Sequence, residues 1–189
     1  MTTVALDLLG GDGAPGVVAD AAATLLSDAA NTGLRLVLVG PVDVARDQLV
    51  ARGVDLNRVT LLPAACGVSM DASPLEVVRQ DAQREAAETT VVVAARAVRD
   101  GVADAWVSVG HTGASVASAV LTLGRISGMQ RPALAVLVPA LASPVVLLDV
   151  GATTTGSVGA FEQFAIAGQA FAVAVGVSHP RIGLLTIGS

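Results

Sequence analysis

Three short stretches of this sequence carry residue types that could bind and activate a small anion. They are residues 6–15 (LDLLGGDGAP), 107–115 (VSVGHTGAS) and 147–157 (LLDVGATTTGS). Each passes from apolar residues through glycine into small polar ones, and each precedes a predicted helix. Glycine lets a backbone come close to a ligand. The unpaired amides at a helix start favour negative charge, and Thr and Ser hydroxyls add short neutral donors. This chemistry suits phosphate or a phosphorylated group. The candidate binding residues are Gly10, Gly11 and Asp12 in the first stretch, Gly110, Thr112 and Gly113 in the second, and Gly151 and Thr153 in the third. His111 and Asp149 are the candidate catalytic residues. An imidazole that titrates near neutrality can act as general acid or base; His111 also suits a simple turn cap. Asp7 and Asp12 flank the first turn, where a carboxylate either serves the ligand or bonds nearby amides.

Other chemistries find no pattern. None of the three stretches matches G-x-x-x-x-G-K-[ST], so the ATP fingerprint is absent, and no cofactor is expected. His179 precedes Pro180 and reads as a surface-loop residue. No set of His, Cys, Asp or Glu has metal-ligand spacing, so no metal is expected. The single Cys66 excludes an internal disulfide and reads as a small core residue rather than a nucleophile.

These turns need a scaffold, and the composition supplies one. The 189 residues are 53% hydrophobic and 14% charged, which is far from a disordered composition. Aromatic residues make up 2%, so the core must be built from Ala, Val and Leu. The formal net charge is −5 and basic clusters are lacking, which argues against nucleic-acid binding. All 11 basic residues are arginine. The amino end has no basic region before its apolar stretch and reaches Asp7 early, unlike a signal peptide. Residues 132–148 form a long uncharged stretch. Pro139 and Pro144 break it, so two buried strands joined by a turn explain it better than a membrane span.

Apolar strands are predicted at 3–9, 34–40, 58–64, 103–110, 133–139, 144–151 and 181–189. The predicted helices run from Pro15 to about Asp28, over 42–53, over about 83–100, over 113–124 and over 159–176. A further helix start lies at Ser73-Pro74-Leu75-Glu76, which has the form of a capping box. Strands alternating with helices predict an α/β fold: three layers, αβα, around a mainly parallel, Rossmann-like sheet. Residues 1–189 read as one continuous domain. A strand at the very end, with no helix to cover it, points to the amino-terminal portion of a longer protein.

Seven segments in order, ALDLLGGDGAP, MDASPLEVVR, GVADAWVSVGHTGA, LGRISGMQRPALAVLVP, VVLLDVGA, FEQFAIAG and PRIGLLTIG, resemble the phosphate acyltransferases of bacterial phospholipid synthesis, the PlsX family. The resemblance covers essentially the whole chain. It implies a fold of the phosphotransacetylase and isopropylmalate dehydrogenase type. It also implies transfer of a fatty acyl group from acyl carrier protein to inorganic phosphate, giving an acyl phosphate. A homodimer in the cytoplasm, loosely associated with the inner membrane surface, is implied as well. The chain departs from the family pattern in its loops. Gly13 stands where the family has His, and His111 where it has Asn. The run TTTGSVGA replaces an Asn and a Cys-Lys-Pro segment, and the lysines after Ser73-Pro74 give way to RQDAQRE. Arg79, Arg84 and Arg125 are the cations available instead, with a different geometry and hydration. A homologue that binds an anion or regulates, without transferring an acyl group, is the alternative reading.

Overall fold

The computed structural model describes residues 1–84, 88–141, 144–150 and 156–185. The chain falls into two compact units, residues 1–124 and 125–189.

The first unit is built on four parallel strands: β1 (Thr2–Asp7), β2 (Leu34–Gly40), β3 (Val59–Pro63) and β4 (Ala105–Val107). Their order in the sheet is β3-β2-β1-β4. Val4 pairs with Leu36 on one side and with Ala105 on the other, so β1 is central. Strand segments buried on both faces must be apolar, which is why β1 is apolar over residues 4–6 and β2 over residues 36–39. The side chains nevertheless alternate. Leu36 and Leu38 point to a cluster with Val18, Ala22 and Leu26 of helix α1 (Gly16–Ser27) and Ala45 and Leu49 of α2 (Val42–Ala51). Val37 and Val39 point the other way, to Ala94 and Ala97 of α4 (Thr90–Arg99). Helices therefore cover both faces. A third cluster joins Val78 of α3 (Pro74–Ala82), Val91 and Val92 of α4, and Ala114 and Ala117 of α5 (Thr112–Ser118). Alanine at the helix contacts lets the layers approach closely where aromatic residues are scarce.

In the second unit, β5 (Ala135–Val138) and β6 (Val145–Leu148) pair antiparallel. Helix α6 (Val158–Ala174) packs on β6 through Gly168, where an added Cβ would stand 2.3 Å from Leu148 Cδ1. The Gln163 side chain ties the helix to the segment before β5. Its Oε1 accepts from the Gln130 amide, and its Nε2 donates to the Gly128 carbonyl, both at 2.8 Å.

Several sequence expectations need correction. The two strands within 132–148 form, but they are not buried: Val136, Leu137, Val138 and Val145 are exposed, because α6 packs on β6 and leaves β5 uncovered within the unit. Residues 181–185 are not a strand, and 186–189 lie outside the described residues. Helix α4 starts at Thr90 rather than near 83. The reason is Asp81, whose carboxylate binds the Glu88 and Thr89 amides and stops α3 from running on. Ser73 stands at the start of α3, but its side chain makes no capping bond. Helix α5 ends at Ser118 and continues as one π-helical turn, Ala119–Leu123. Cys66 is exposed, not in the core. Its partial burial, then the charges of Asp81 and Glu88, push its thiol up, away from the thiolate a nucleophile requires.

Candidate functional site

The chain lays down β1, β2 and β3 to one side, then returns to place β4 on the other side of β1. The reversal of strand order therefore falls between β1 and β4. In open α/β sheets the crevice at that point, beyond the carboxyl ends of the strands, is where ligands bind. Two of the three stretches singled out in the sequence lie there as neighbours. Gly10, Gly11 and Asp12 follow β1, and Gly110, His111, Thr112 and Gly113 follow β4.

The two turns touch backbone to backbone. A Cβ on Gly110 would stand 2.9 Å from Gly10 Cα, and one on Gly10 would stand 2.8 Å from both Asp7 Oδ2 and Ser108 Oγ. Gly11 has φ +87° and faces the Val109 carbonyl, with a would-be Cβ 2.9 Å from that oxygen. Space requires glycine at Gly10 and Gly110, and at Gly11 conformation requires it as well. Gly13, in the family's His position, has φ +73° and would bring a Cβ to 2.9 Å from Val17 Cγ2, so this turn too is built around glycine.

Asp7, at the end of β1, is 5% exposed. Its Oδ1 accepts from the Leu9 amide at 3.0 Å, and its Oδ2 accepts from the Ser108 hydroxyl at 2.7 Å. Ser108 Oγ in turn accepts from the Gly110 amide at 3.2 Å. His111 caps α5: its Nδ1 accepts from the Gly113 amide at 3.1 Å, and its carbonyl accepts from the Ala114 amide at 2.9 Å. An accepting Nδ1 places the ring proton on Nε2, leaving that N–H as a donor. Among the described residues, the amides of Gly11, Asp12, His111 and Thr112 have no hydrogen-bond partner. A shallow recess opens beside the turns, with Asp7, Ser108 and His111 on its polar side and Val68, Val91 and Ala114 on its apolar side.

The cap yields a direct prediction. Asn Oδ1 stands at the same distance from the backbone as His Nδ1, so His111→Asn keeps the cap and unfolds within about 0.5 kcal/mol of wild type. His111→Ala loses it and is less stable by about 1 kcal/mol in denaturant titration. An insoluble His111→Asn protein would contradict this placement.

The remaining expected site residues fare differently. Asp12 and Thr112 are exposed at the mouth of the turns. Asp149 belongs to the second unit. It has φ +63°, its amide donates to the Leu134 carbonyl at 2.7 Å, and its Oδ1 is buried without a partner. Gly151 and Thr153 lie outside the described residues. Of the candidate cations, Arg84 pairs with Glu88 at 2.7 Å and Arg125 donates to the Gln130 carbonyl. Arg79 is exposed. His179 is exposed beside Ser178, as expected of a surface loop. Among the described residues there is no group of three or more metal-ligating side chains, and no helix is long and apolar enough to cross a membrane. Sequence reasoning missed Ser108. Its signal was a lone hydroxyl in the otherwise apolar run AWVSVG, two residues before a glycine.

A parallel sheet covered on both faces, with paired glycine turns where the strand order reverses, defines an α/β protein of phosphotransacetylase-like fold. The EutD phosphotransacetylase from Staphylococcus aureus superposes with a TM-score of 0.61 over 93% of this chain and 54% of that chain; at 15% identity the likeness shows the fold alone. The chain belongs to the family described as "Fatty acid synthesis protein", which it matches over residues 2–189. Proteins named phosphate acyltransferase are similar to it: 36% identical in Lawsonia intracellularis, 38% in Heliobacterium modesticaldum and 40% in Thermus thermophilus, each over 98% of this chain. The chain spans about half the length of these curated relatives, 52–53%.

Proposed function

We propose that the protein carrying this chain transfers a fatty acyl group from acyl carrier protein to inorganic phosphate, forming an acyl phosphate for phospholipid synthesis. The observation that carries this reading is the pair of abutting glycine turns at the strand-order reversal, with four amides lacking partners. Family membership and relatives named phosphate acyltransferase support the acyl chemistry.

Phosphate is itself the nucleophile, so the protein needs no acyl-enzyme residue. The amides of Gly11, Asp12, His111 and Thr112, with the Thr112 hydroxyl, hold the phosphate and strip its water. One phosphate oxygen attacks the thioester carbonyl carbon. The carbonyl oxygen gains charge in the tetrahedral intermediate, and the His111 Nε2–H is a donor suited to stabilise it. The C–S bond then breaks, and the thiolate leaves and takes a proton. Positioning and oxyanion stabilisation supply the rate. The third loop, Asp149, Gly151 and Thr153, stays in the proposal on its sequence alone. The same reading takes residues 1–189 as one domain, the amino-terminal part of a cytoplasmic homodimer that associates with the inner membrane surface.

The test is incubation of the full chain with acyl carrier protein thioester, with and without phosphate. The expected result is thioester loss that depends on phosphate and yields acyl phosphate. Thioester stable in the presence of phosphate overturns the reading in favour of a non-transferring homologue. Thr112→Ala is expected to lower kcat/KM for phosphate about tenfold, the effect of one hydroxyl on a charged ligand, while Tm stays within about 2 °C. Equal losses of Tm and activity would count against Thr112 as a ligand. Asp149→Ala is tested in the same way.

A further inference from the structure

We propose that Asp7 and Ser108 are positioning residues that clamp the two glycine turns into one oxyanion-binding concavity. Anion affinity then depends on a hydroxyl and a carboxylate that do not themselves touch the anion. The inference rests on the phosphate reading above.

The Ser108 hydroxyl has one proton, and it goes to Asp7 Oδ2 at 2.7 Å. A carboxylate can only accept, so the direction of this bond is fixed. The oxygen lone pairs of Ser108 are thereby left for the Gly110 amide, at 3.2 Å. The other carboxylate oxygen takes the Leu9 amide at 3.0 Å, where the first turn begins. One buried carboxylate thus orients an amide in each turn, across 101 residues of sequence. The Gly10 amide donates to the Asp7 carbonyl at 3.4 Å, so with Leu9, Gly10 and Gly110 tied back, the amides of Gly11 and His111 are the first unpaired donors along each turn.

A buried negative charge beside an anion site is a cost if Asp7 acts only through its field. The geometry assigns it the opposite net effect: both oxygens face amide and hydroxyl donors, and the order they impose outweighs the repulsion. The two accounts predict opposite signs for Asp7→Asn. Loss of charge alone tightens phosphate binding, whereas loss of the clamp weakens it.

The experiment measures KM for phosphate at saturating acyl carrier protein thioester, calorimetric binding of inorganic phosphate, Tm, and hydrogen exchange at the Gly110 amide, all in the full chain. Ser108→Ala is expected to raise KM for phosphate about tenfold, with a smaller change in kcat and with Tm within about 3 °C. It is also expected to speed exchange at Gly110. Ser108→Thr keeps the hydroxyl and restores KM to within about threefold of wild type. Asp7→Asn weakens phosphate binding. The clamp is overturned if Ser108→Ala keeps the wild-type KM, if Thr rescues no better than Ala, or if Asp7→Asn tightens phosphate. If the wild type neither binds nor uses phosphate, the function reading falls on its own. Exchange at Gly110 then still decides the clamp, and an unchanged rate in Ser108→Ala rejects it.

Discussion

Gly110→Ala is expected to reduce phosphate-dependent thioester consumption by about 100-fold or more and to lower stability by about 1–3 kcal/mol. The added Cβ would stand 2.9 Å from Gly10 Cα, 3.3 Å from Ser108 Oγ and 3.5 Å from the Gly11 amide nitrogen. Folded proteins do not tolerate the first of these distances, and the atom it meets is backbone, which no rotamer change can move aside. The two turns must therefore separate. Separation displaces the Gly11 and His111 amides relative to each other, and a shift of about 1 Å in positioning groups costs on the order of 100-fold in rate. The stability loss is smaller, because the layers of the sheet and their helices are untouched. Gly16→Ala is the control. No atom lies within 4 Å of its would-be Cβ, and it opens α1, so Ala there is neutral or stabilising by up to about 1 kcal/mol. Denaturant titration and the thioester assay on both variants read the contrast. Wild-type activity in Gly110→Ala would show that the turns do not abut.

That contrast separates what the residues announce from what they conceal. The parallel sheet was legible because β1 and β2 are apolar over residues 4–6 and 36–39, without the alternation of a strand that faces water on one side. The turns after β1 and β4 were legible as glycine-rich strand ends. Their adjacency was not, since it follows from strand order, which pairs β1 with both β2 and β4. The clamp was therefore also hidden: Asp7 looks like one more loop carboxylate, and Ser108 like a small residue in a strand, until 101 residues of chain are folded between them. Residues 132–148 read as buried strands because apolar composition cannot tell a strand in a sheet from a ribbon left open on one side. The charge run RQDAQRE stands where the family has lysines, and nothing in its composition marks one member as buried. Asp81 within it is 3% exposed and ends one helix while anchoring the start of the next.

Asp81→Ala is expected to be the most destabilising single change outside the glycine turns, by about 3–5 kcal/mol at pH 7. The carboxylate accepts from the Glu88 and Thr89 amides, each at 2.9 Å, and from the Thr89 hydroxyl. Thr89 is itself buried, so removing the acceptor strands donors away from water. Asp81→Asn keeps the size of the side chain but turns an NH2 toward donors, and it is expected to cost about 2–3 kcal/mol. Burial pushes the Asp81 carboxyl up, yet the Thr89 hydroxyl, the two amides and Arg84 together outweigh it and hold it below the usual carboxylate range. A carboxylate with a lowered folded pKa contributes its stability above its unfolded pKa, about 3.9, and loses it as pH falls through the lower folded value. The stability gap between wild type and Asp81→Asn should thus be constant from neutral pH down to about 5 and shrink below about 4. Asp20 and Asp100 are also lowered, by hydrogen bonds from Arg52 and Arg99, but they lie at the surface and are common to both proteins, so they cancel in the difference. The effect reaches the site through α4. Thr89 precedes the first turn of that helix, and Val91 two residues on forms part of the apolar side of the recess beside His111. Loss of the anchor should therefore raise KM for phosphate at temperatures where the variant is still folded. A stability gap that stays constant to pH 3, or an Asp81→Ala protein as stable as wild type, would show that the carboxylate does not anchor the helix.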